Sequence, residues 1–377
     1  MRFVPRAIQN ELLRAARGFP AAVLTGPRRA GKTALLRHAF PGAQYVLLED
    51  PDVQARVRSD PRGFLDELRP PVLFDEIQNA PELFDYIRAR IDGKPRKMGQ
   101  WLFTGSQEAP LMRGVSESMA GRAAILQLLP FSLAETDRVS LLAGGYPEVL
   151  ARPAGRGLWF ASYIQTYLER DVRSLRQVGD LISFQSFLRA LAARTGQLLN
   201  LTDISRDLGV AVNTAKAWLS VLEATFQVIV LRPYHANVGK RLVKTPKVYF
   251  TDTGMLCYLA GLKDPDHAAA GPLGGAIFET AVLLEIVKVL VNRGEEPQIH
   301  FWRTSVGVEV DLVVEAGGKL IPIEVKLSAT PRPAMASGIR AFQEDLGEKA
   351  GPGFVIHPGD VRLPLAPKVV ALPFTEL

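Results

Sequence analysis

The eight residues Gly26-Pro-Arg-Arg-Ala-Gly31-Lys32-Thr33 constrain the fold more than any other stretch of this chain. An apolar run, Ala21–Thr25, precedes them, and a helix-like run, Thr33-Ala-Leu-Leu-Arg37, follows. Strand, GxxxxGKT loop and helix in that order make a cradle of backbone N–H groups for phosphate, at the positive end of a helix dipole. Gly26 and Gly31 let the loop close, with Pro27, Arg28, Arg29 and Ala30 forming its wall. Lys32 would neutralise the β- and γ-phosphates and Thr33 would ligate Mg2+. The expected cofactors are therefore ATP and Mg2+. The loop does not say what hydrolysis would drive.

Two acids extend this reading. Val72-Leu-Phe-Asp75-Glu76 is an apolar strand ending in carboxylates. Asp75 is expected beside the Mg2+, and Glu76 is expected to polarise the attacking water. A second strand, Trp101–Thr104, ends in Thr104-Gly-Ser106, where a hydroxyl could sense the γ-phosphate, although strand ends often carry Thr and Ser for turn reasons alone. Arg113 and Arg122 follow. Arg122, just before the strand Ala124–Leu129, could reach a neighbouring subunit's γ-phosphate, and an ordinary surface arginine fits the same position.

The chain has 377 residues, room for two or three domains. Its 47% hydrophobic and 22% charged content is that of a soluble globular protein. No apolar run reaches membrane-spanning length, the N-terminus lacks a signal peptide's apolar segment, and the single Cys257 fits a reducing compartment. A cytoplasmic location without membrane contact is expected. The five histidines are scattered, so no His/Cys zinc site is visible.

Strand candidates Ala21–Thr25, Gln44–Leu48, Val72–Asp75, Trp101–Thr104 and Ala124–Leu129 alternate with helices, predicting an α/β domain with a mostly parallel sheet over residues 1–140. Residues 141–262 read as a second, mainly helical domain. Within 158–262, twelve Lys and Arg face seven Asp and Glu, and the run Arg232–Lys247 holds five basic residues without an acid. Such a cluster attracts phosphate backbones, and a solvated loop produces the same run. Leu201–Val210 reads as one short helix, and Asn213-Thr214 as the cap of a second. The strands Gln227–Leu231 and Lys247–Phe250 would complete a winged helix. Lys216 on the second helix and Lys240, Arg241 and Lys244 on the wing are the expected DNA contacts, with weak sequence specificity. A winged helix serving only to pack against protein fits equally.

Lys263–Gly275 reads as a linker to a third domain, 263–377, which opens with a helix over Phe278–Val291. In Val308–Glu315, alternation puts Glu309 and Asp311 on one face; in Leu320–Lys326 it puts Glu324 and Lys326 together. Paired, these strands would gather Asp311, Glu324 and Lys326, with Glu279 of the helix nearby. Such a set can bind a divalent metal and activate water for phosphodiester attack. A hairpin with a solvated face shows the same alternation.

The chain resembles the prokaryotic AAA-type ATPases that carry a C-terminal domain of formerly unknown function. The resemblance rests on GPRRAGKT (26–33), LFDEIQ (73–78), FTGSQ (103–107), AGRAAILQLLPFSLAE (120–135), GGYPE (144–148), YLERDV (167–172), KVYFTDTGML (247–256), Phe278-Glu279, VEVDLVVE (308–315) and IPIEVK (321–326). It implies an AAA+ domain, a winged-helix region and an α/β domain similar to PD-(D/E)xK nucleases. In that superfamily's pattern Glu279, Asp311 and Glu324 hold metal beside Lys326. The joint expectation is an ATP-hydrolysing homo-oligomer, a hexameric ring, that remodels or translocates DNA, including branched DNA. The competing expectation is a nucleotide-gated switch that binds a protein partner or operator without translocation or cleavage.

Overall fold

The computed structural model describes residues 3–93, 96–106, 118–168, 181–234 and 244–377. In the first domain, β1 (Ala21–Thr25), β2 (Gln44–Leu47), β3 (Val72–Asp75), β4 (Trp101–Thr104) and β5 (Ala123–Gln127) form a parallel sheet of order β2-β3-β4-β1-β5. Every residue of β1, β3 and β4 is buried, because helices cover both faces. Successive side chains point to opposite faces. Val23, Phe74 and Phe103 therefore join one apolar cluster with Phe84 and Ile87 of the helix Leu83–Asp92. Ala22, Leu24 and Leu102 join another with Leu35 and Leu36 of the helix Lys32–Ala39. The five strands stand within two residues of their sequence-predicted bounds.

The middle region packs the helices Arg156–Tyr163, Leu181–Ala192, Leu201–Leu208 and Val212–Ala224 around Phe184, Phe187 and Trp218. The Asn200 side chain caps the helix Leu201–Leu208 by accepting from the amides of Thr202 and Asp203. The next helix starts differently from expectation. Its N-cap is Ala211, with no side-chain cap, so Asn213 lies inside the helix. An antiparallel ribbon, β6 (Val228–Leu231) and β7 (Lys247–Phe250), follows, then the helix Thr253–Leu259. The expected linker at 263–275 instead contains the helix Pro265–Ala270, capped by the Asp264 carboxylate and anchored by buried Ala268.

The C-terminal region is a six-stranded mixed sheet of order β12-β13-β11-β10-β9-β8: β8 (Ile299–Arg303), β9 (Glu309–Ala316), β10 (Lys319–Val325), β11 (Gly353–His357), β12 (Leu363–Ala366) and β13 (Val369–Pro373). The helix Gly274–Asn292 packs Phe278, Val282 and Leu283 against Leu312, Ile323 and Val325. On the other side, Phe342 of the helix Ser337–Leu346 meets Trp302, Val310 and Val313. The alternation expected through β9 fails at one point. Between the pairs Trp302↔Val310 and His300↔Val313 the register shifts, so Val310 and Leu312 join different apolar clusters. The bulge falls at Asp311 and Leu312.

The domains share an intimate seam. Tyr234 N–H donates to the Phe301 carbonyl at 2.7 Å, which lays the segment after β6 along β8. In β7, Val248 and Phe250 enter the middle core while Tyr249 enters the C-terminal one. Among the described residues no helix is long and apolar enough to cross a membrane.

Candidate active site and a second acidic cluster

The carboxyl ends of β1, β3 and β4 converge, the place where open parallel sheets bind ligands. The phosphate loop leaves β1 through Gly26, φ 136°, where a Cβ would lie 2.1 Å from the Leu128 carbonyl oxygen. Only glycine fits there. The helix Lys32–Ala39 begins directly after Gly31, so its free N–H groups face the loop. Lys32 is buried and its ammonium donates to the carbonyls of Gly26 and Pro27, both at 2.9 Å.

One carboxylate oxygen organises the metal side. Asp75 Oδ1 accepts from the Thr33 hydroxyl at 2.7 Å and from the Thr104 hydroxyl at 2.5 Å. Asp75 Oδ2 accepts from the Tyr45 hydroxyl at 2.7 Å. A hydroxyl and a carboxylate already in contact at the start of a phosphate-loop helix are the donor set that Mg2+ shares with a nucleotide, so these residues fit that ion. Burial and the Asp75 hydrogen bond raise the Tyr45 phenol above its ordinary value, which keeps it a donor.

Glu76 stands beside this pair in the left-handed region, φ 57°. The Glu76 amide donates to Thr104 Oγ1 at 2.8 Å. Its carboxylate Oε2 accepts from Ser106 Oγ at 2.9 Å and from Gln78 Nε2 at 2.5 Å. Burial pushes the Glu76 carboxyl up. The Lys32 charge, the Gln78 bond, the Arg28 charge and the Ser106 bond outweigh that, and the value falls below the ordinary glutamate range. The group is thus an ionised base at neutral pH.

Gln78 and Tyr45 were not among the sequence candidates, although Gln78 lies within the motif LFDEIQ. Two further contacts were invisible at the level of sequence. Buried Arg6 donates to the Ala30 carbonyl at 2.9 Å, to the Leu129 carbonyl at 2.6 Å and to Glu135 Oε1 at 2.9 Å, bracing the loop from below. Arg29 pairs with Glu148 at 3.0 Å, and the other Glu148 oxygen accepts from Trp159 Nε1 at 2.6 Å.

Arg122 is not in this group. It forms a two-pronged pair with Asp92, at 2.8 and 2.7 Å, and its carbonyl accepts from Ala21 N–H at the start of β1. The phosphate loop leaves the opposite end of that strand, so Arg122 lies at the far edge of the sheet from its own loop. Lys216 and Lys244 are exposed. Arg113, Lys240 and Arg241 lie outside the described residues.

The C-terminal candidates do come together, with unexpected company. Asp311 Oδ2 accepts from the Val325 amide at 2.8 Å. Lys326 Nζ contacts Glu324 Oε1 at 2.5 Å and Asp311 Oδ2 at 3.9 Å. Glu279 Oε1 accepts from Lys247 Nζ at 3.2 Å and also from the Tyr249 hydroxyl. Lys247 Nζ also meets Glu309 Oε1 at 2.5 Å, and Arg303 holds Glu309 Oε2 at 2.8 Å. Burial, then the Asp311 charge, raise both Glu279 and Glu324 above the usual carboxylate range. Among the described residues, no three Asp, Glu, His or Cys side chains are grouped to hold a metal ion. As arranged, the expected metal set Glu279, Asp311 and Glu324 does not fit a divalent ion: Lys247 and Lys326 each take one oxygen of a glutamate, and the Val325 amide takes one of Asp311.

Residues 18–136 match the family model described as AAA domain. Residues 138–266 and 274–377 match two models each described as a domain of unknown function, DUF8612 and DUF4143. Two curated relatives, Uncharacterized protein Rv2008c of Mycobacterium tuberculosis and Uncharacterized protein Mb2031c of Mycobacterium bovis, are each 34% identical over 376 residues. The match covers 97% of this chain and 82% of each relative. Among solved structures, the Walker-type ATPase paby2304 of Pyrococcus abyssi is 17% identical with a TM-score of 0.45, over 67% of this chain and 94% of that one. A Thermotoga maritima RuvB variant is 15% identical with a TM-score of 0.31, over 59% and 86%. With an AAA domain at its head and near full-length similarity to the two mycobacterial proteins, the chain belongs with them to a family of prokaryotic AAA-type ATPases.

Proposed function

We propose that this protein hydrolyses ATP with Mg2+ at the Gly26–Thr33 loop and uses the turnover to remodel or translocate DNA as a homo-oligomer. The observation that carries the catalytic part is the pair of carboxylates tied through Thr104: Asp75 on the Thr33 hydroxyl, and Glu76 held by Gln78 and Ser106. Bound Mg2+ would polarise the transferring phosphoryl group. Lys32 exchanges its neutral carbonyl partners for phosphate oxygens, and Glu76 accepts the proton of the attacking water. Thr104 and Ser106 hold Glu76 in place rather than react.

The DNA part is supported by the basic excess of residues 158–262, the exposed Lys216 and Lys244, and a helix pair followed by a ribbon. The homo-oligomer is supported by the place of Arg122, at the end of the sheet away from its own phosphate loop. Steady-state ATPase assays with and without duplex and branched DNA test the reading. Turnover should rise with DNA and vanish in Lys32→Ala and Glu76→Gln. If no DNA binds or stimulates turnover, the DNA motor is wrong.

A nucleotide-gated switch is the second reading, and the phosphate loop itself favours it. Arg29 pairs with Glu148, and the Tyr163 hydroxyl donates to the Arg28 carbonyl at 3.4 Å, so the loop touches the middle region directly. Turnover of many ATP per minute supports a motor; turnover slower than release of a partner protein or operator supports the switch.

A further inference from the structure

We infer that Lys247 takes the place of a divalent cation in the C-terminal acidic cluster, which makes that cluster a docking socket for the middle region's ribbon rather than a hydrolytic metal site. The seam between β7 and the C-terminal sheet carries this assignment independently of ATP turnover.

Lys247 and Tyr249 are two residues apart on a strand and share a face. Both donate to the same oxygen, Glu279 Oε1. Val248, on the opposite face, is locked in the middle core. The ribbon therefore cannot withdraw its two donors without disturbing the packing on its other side.

Charge makes the second step. Four carboxylates, Glu279, Glu309, Asp311 and Glu324, meet three cations, Lys247, Arg303 and Lys326, through the contacts at the seam. A divalent ion added to that set would have to share its carboxylates with the buried Lys247 ammonium, whose like charge opposes it at short range. Expelling Lys247 instead would strand an ammonium whose side chain is only 4% exposed.

Ligand availability is the third step. Glu279 Oε1 is taken by two donors, Asp311 Oδ2 by the Val325 amide, and Glu324 Oε1 by Lys326. Glu324 Oε2 is buried without a hydrogen-bond partner and faces Gly338, where a Cβ would stand 3.5 Å away. Each of the three carboxylates thus gives one oxygen to a protein donor, which a metal would have to displace to take it.

The test is Mn2+ titration of the nucleotide-free, full-length protein followed by electron paramagnetic resonance, in an Asp75→Asn background that removes the nucleotide-site carboxylate. The lysine-bearing protein should show no stoichiometric site. Lys247→Met should bind one Mn2+ per chain at least about tenfold more tightly, and adding Asp311→Asn should abolish that gain. One equivalent of Mn2+ bound with Lys247 present, and lost on Asp311→Asn, would overturn the inference. So would silence from a folded Lys247→Met. Should Lys247→Met not fold, Lys247→Arg decides: a folded protein without a Mn2+ site supports the cation's place-holding role, and one that binds Mn2+ refutes it.

Discussion

Thr104 donates a 2.5 Å hydrogen bond to Asp75 Oδ1, and the same Thr104 oxygen accepts from the amide of Glu76. A single hydroxyl from the central strand thus fixes both the metal-side carboxylate and the general base. Replacing it with the near-isosteric valine leaves a buried carboxylate short of a donor, at about 1.5–3 kcal/mol for a charged hydrogen bond. Thr104→Val should therefore lower kcat by roughly ten- to a hundredfold, with circular dichroism unchanged, and Thr104→Ser should recover most of it. Unaltered kcat in Thr104→Val would show that Asp75 and Glu76 are positioned by other means.

The Glu76 carboxyl is more acidic than an ordinary glutamate, so the acid limb of the kcat profile should lie below the usual glutamate range. Ser106→Ala and Gln78→Leu each remove a donor to the charged form and should move that limb to higher pH. For stability the sign is the depressed-carboxylate one. The ionised group contributes above its unfolded value and loses that contribution as pH falls through the folded one. A pH–rate series across mildly acidic buffers measures the shift, and an identical limb in all three proteins would remove Glu76 from the titrating role.

Arg122 should matter only between subunits. Arg122→Ala and Lys32→Ala should each be nearly inactive, and mixing them should restore turnover, since one interface then joins an intact loop to an intact arginine. Absence of complementation in protein shown to exchange subunits would leave Arg122 as a partner of Asp92 alone.

Gly144 adopts φ 69°, and a Cβ there would lie 2.2 Å from Asp252 Oδ1. The adjacent Gly145 amide donates to Asp252 Oδ2 at 2.7 Å, so the carboxylate cannot simply step aside. Gly144→Ala should cost about 1–3 kcal/mol in urea unfolding, the usual range for overpacking.

Cys257 is buried, its thiol donates to the Leu141 carbonyl at 3.4 Å, and burial pushes it up to about 12. Ellman's reagent at mildly alkaline pH should find no reactive thiol in the native protein and one after denaturation. Rapid native reaction would mean that the helix Thr253–Leu259 opens readily.

The first domain was legible because its apolar runs end in residues whose chemistry has one common use: Thr25 into the loop, Asp75-Glu76, and Thr104 with Ser106. The errors have physical reasons. Asp264-Pro265 carries a cap followed by a first-turn proline, a helix signal that the surrounding Pro and Gly obscured. The bulge at Asp311 broke an alternation that holds only for a regular ladder. Arg6 on Ala30 and Arg29 on Glu148 join residues 24 and 119 positions apart, and local pattern carries no record of such pairs. Lys247 was read as one charge in a basic wing, because its neutralising acids lie 32 and 62 positions onward, in another domain.

The strand that carries Lys247 has a consequence for anyone who would cut this chain into pieces. Severing it near residue 262 leaves the downstream fragment with Glu279 stripped of its lysine, Glu309 held by Arg303 alone and Phe301 stripped of its edge cover. The upstream fragment keeps a lysine and a tyrosine pointing at nothing. The smallest piece with an intact interior on that side runs from the exit of the nucleotide domain to the C-terminus, so what looks like two modules on paper is one unit of folding.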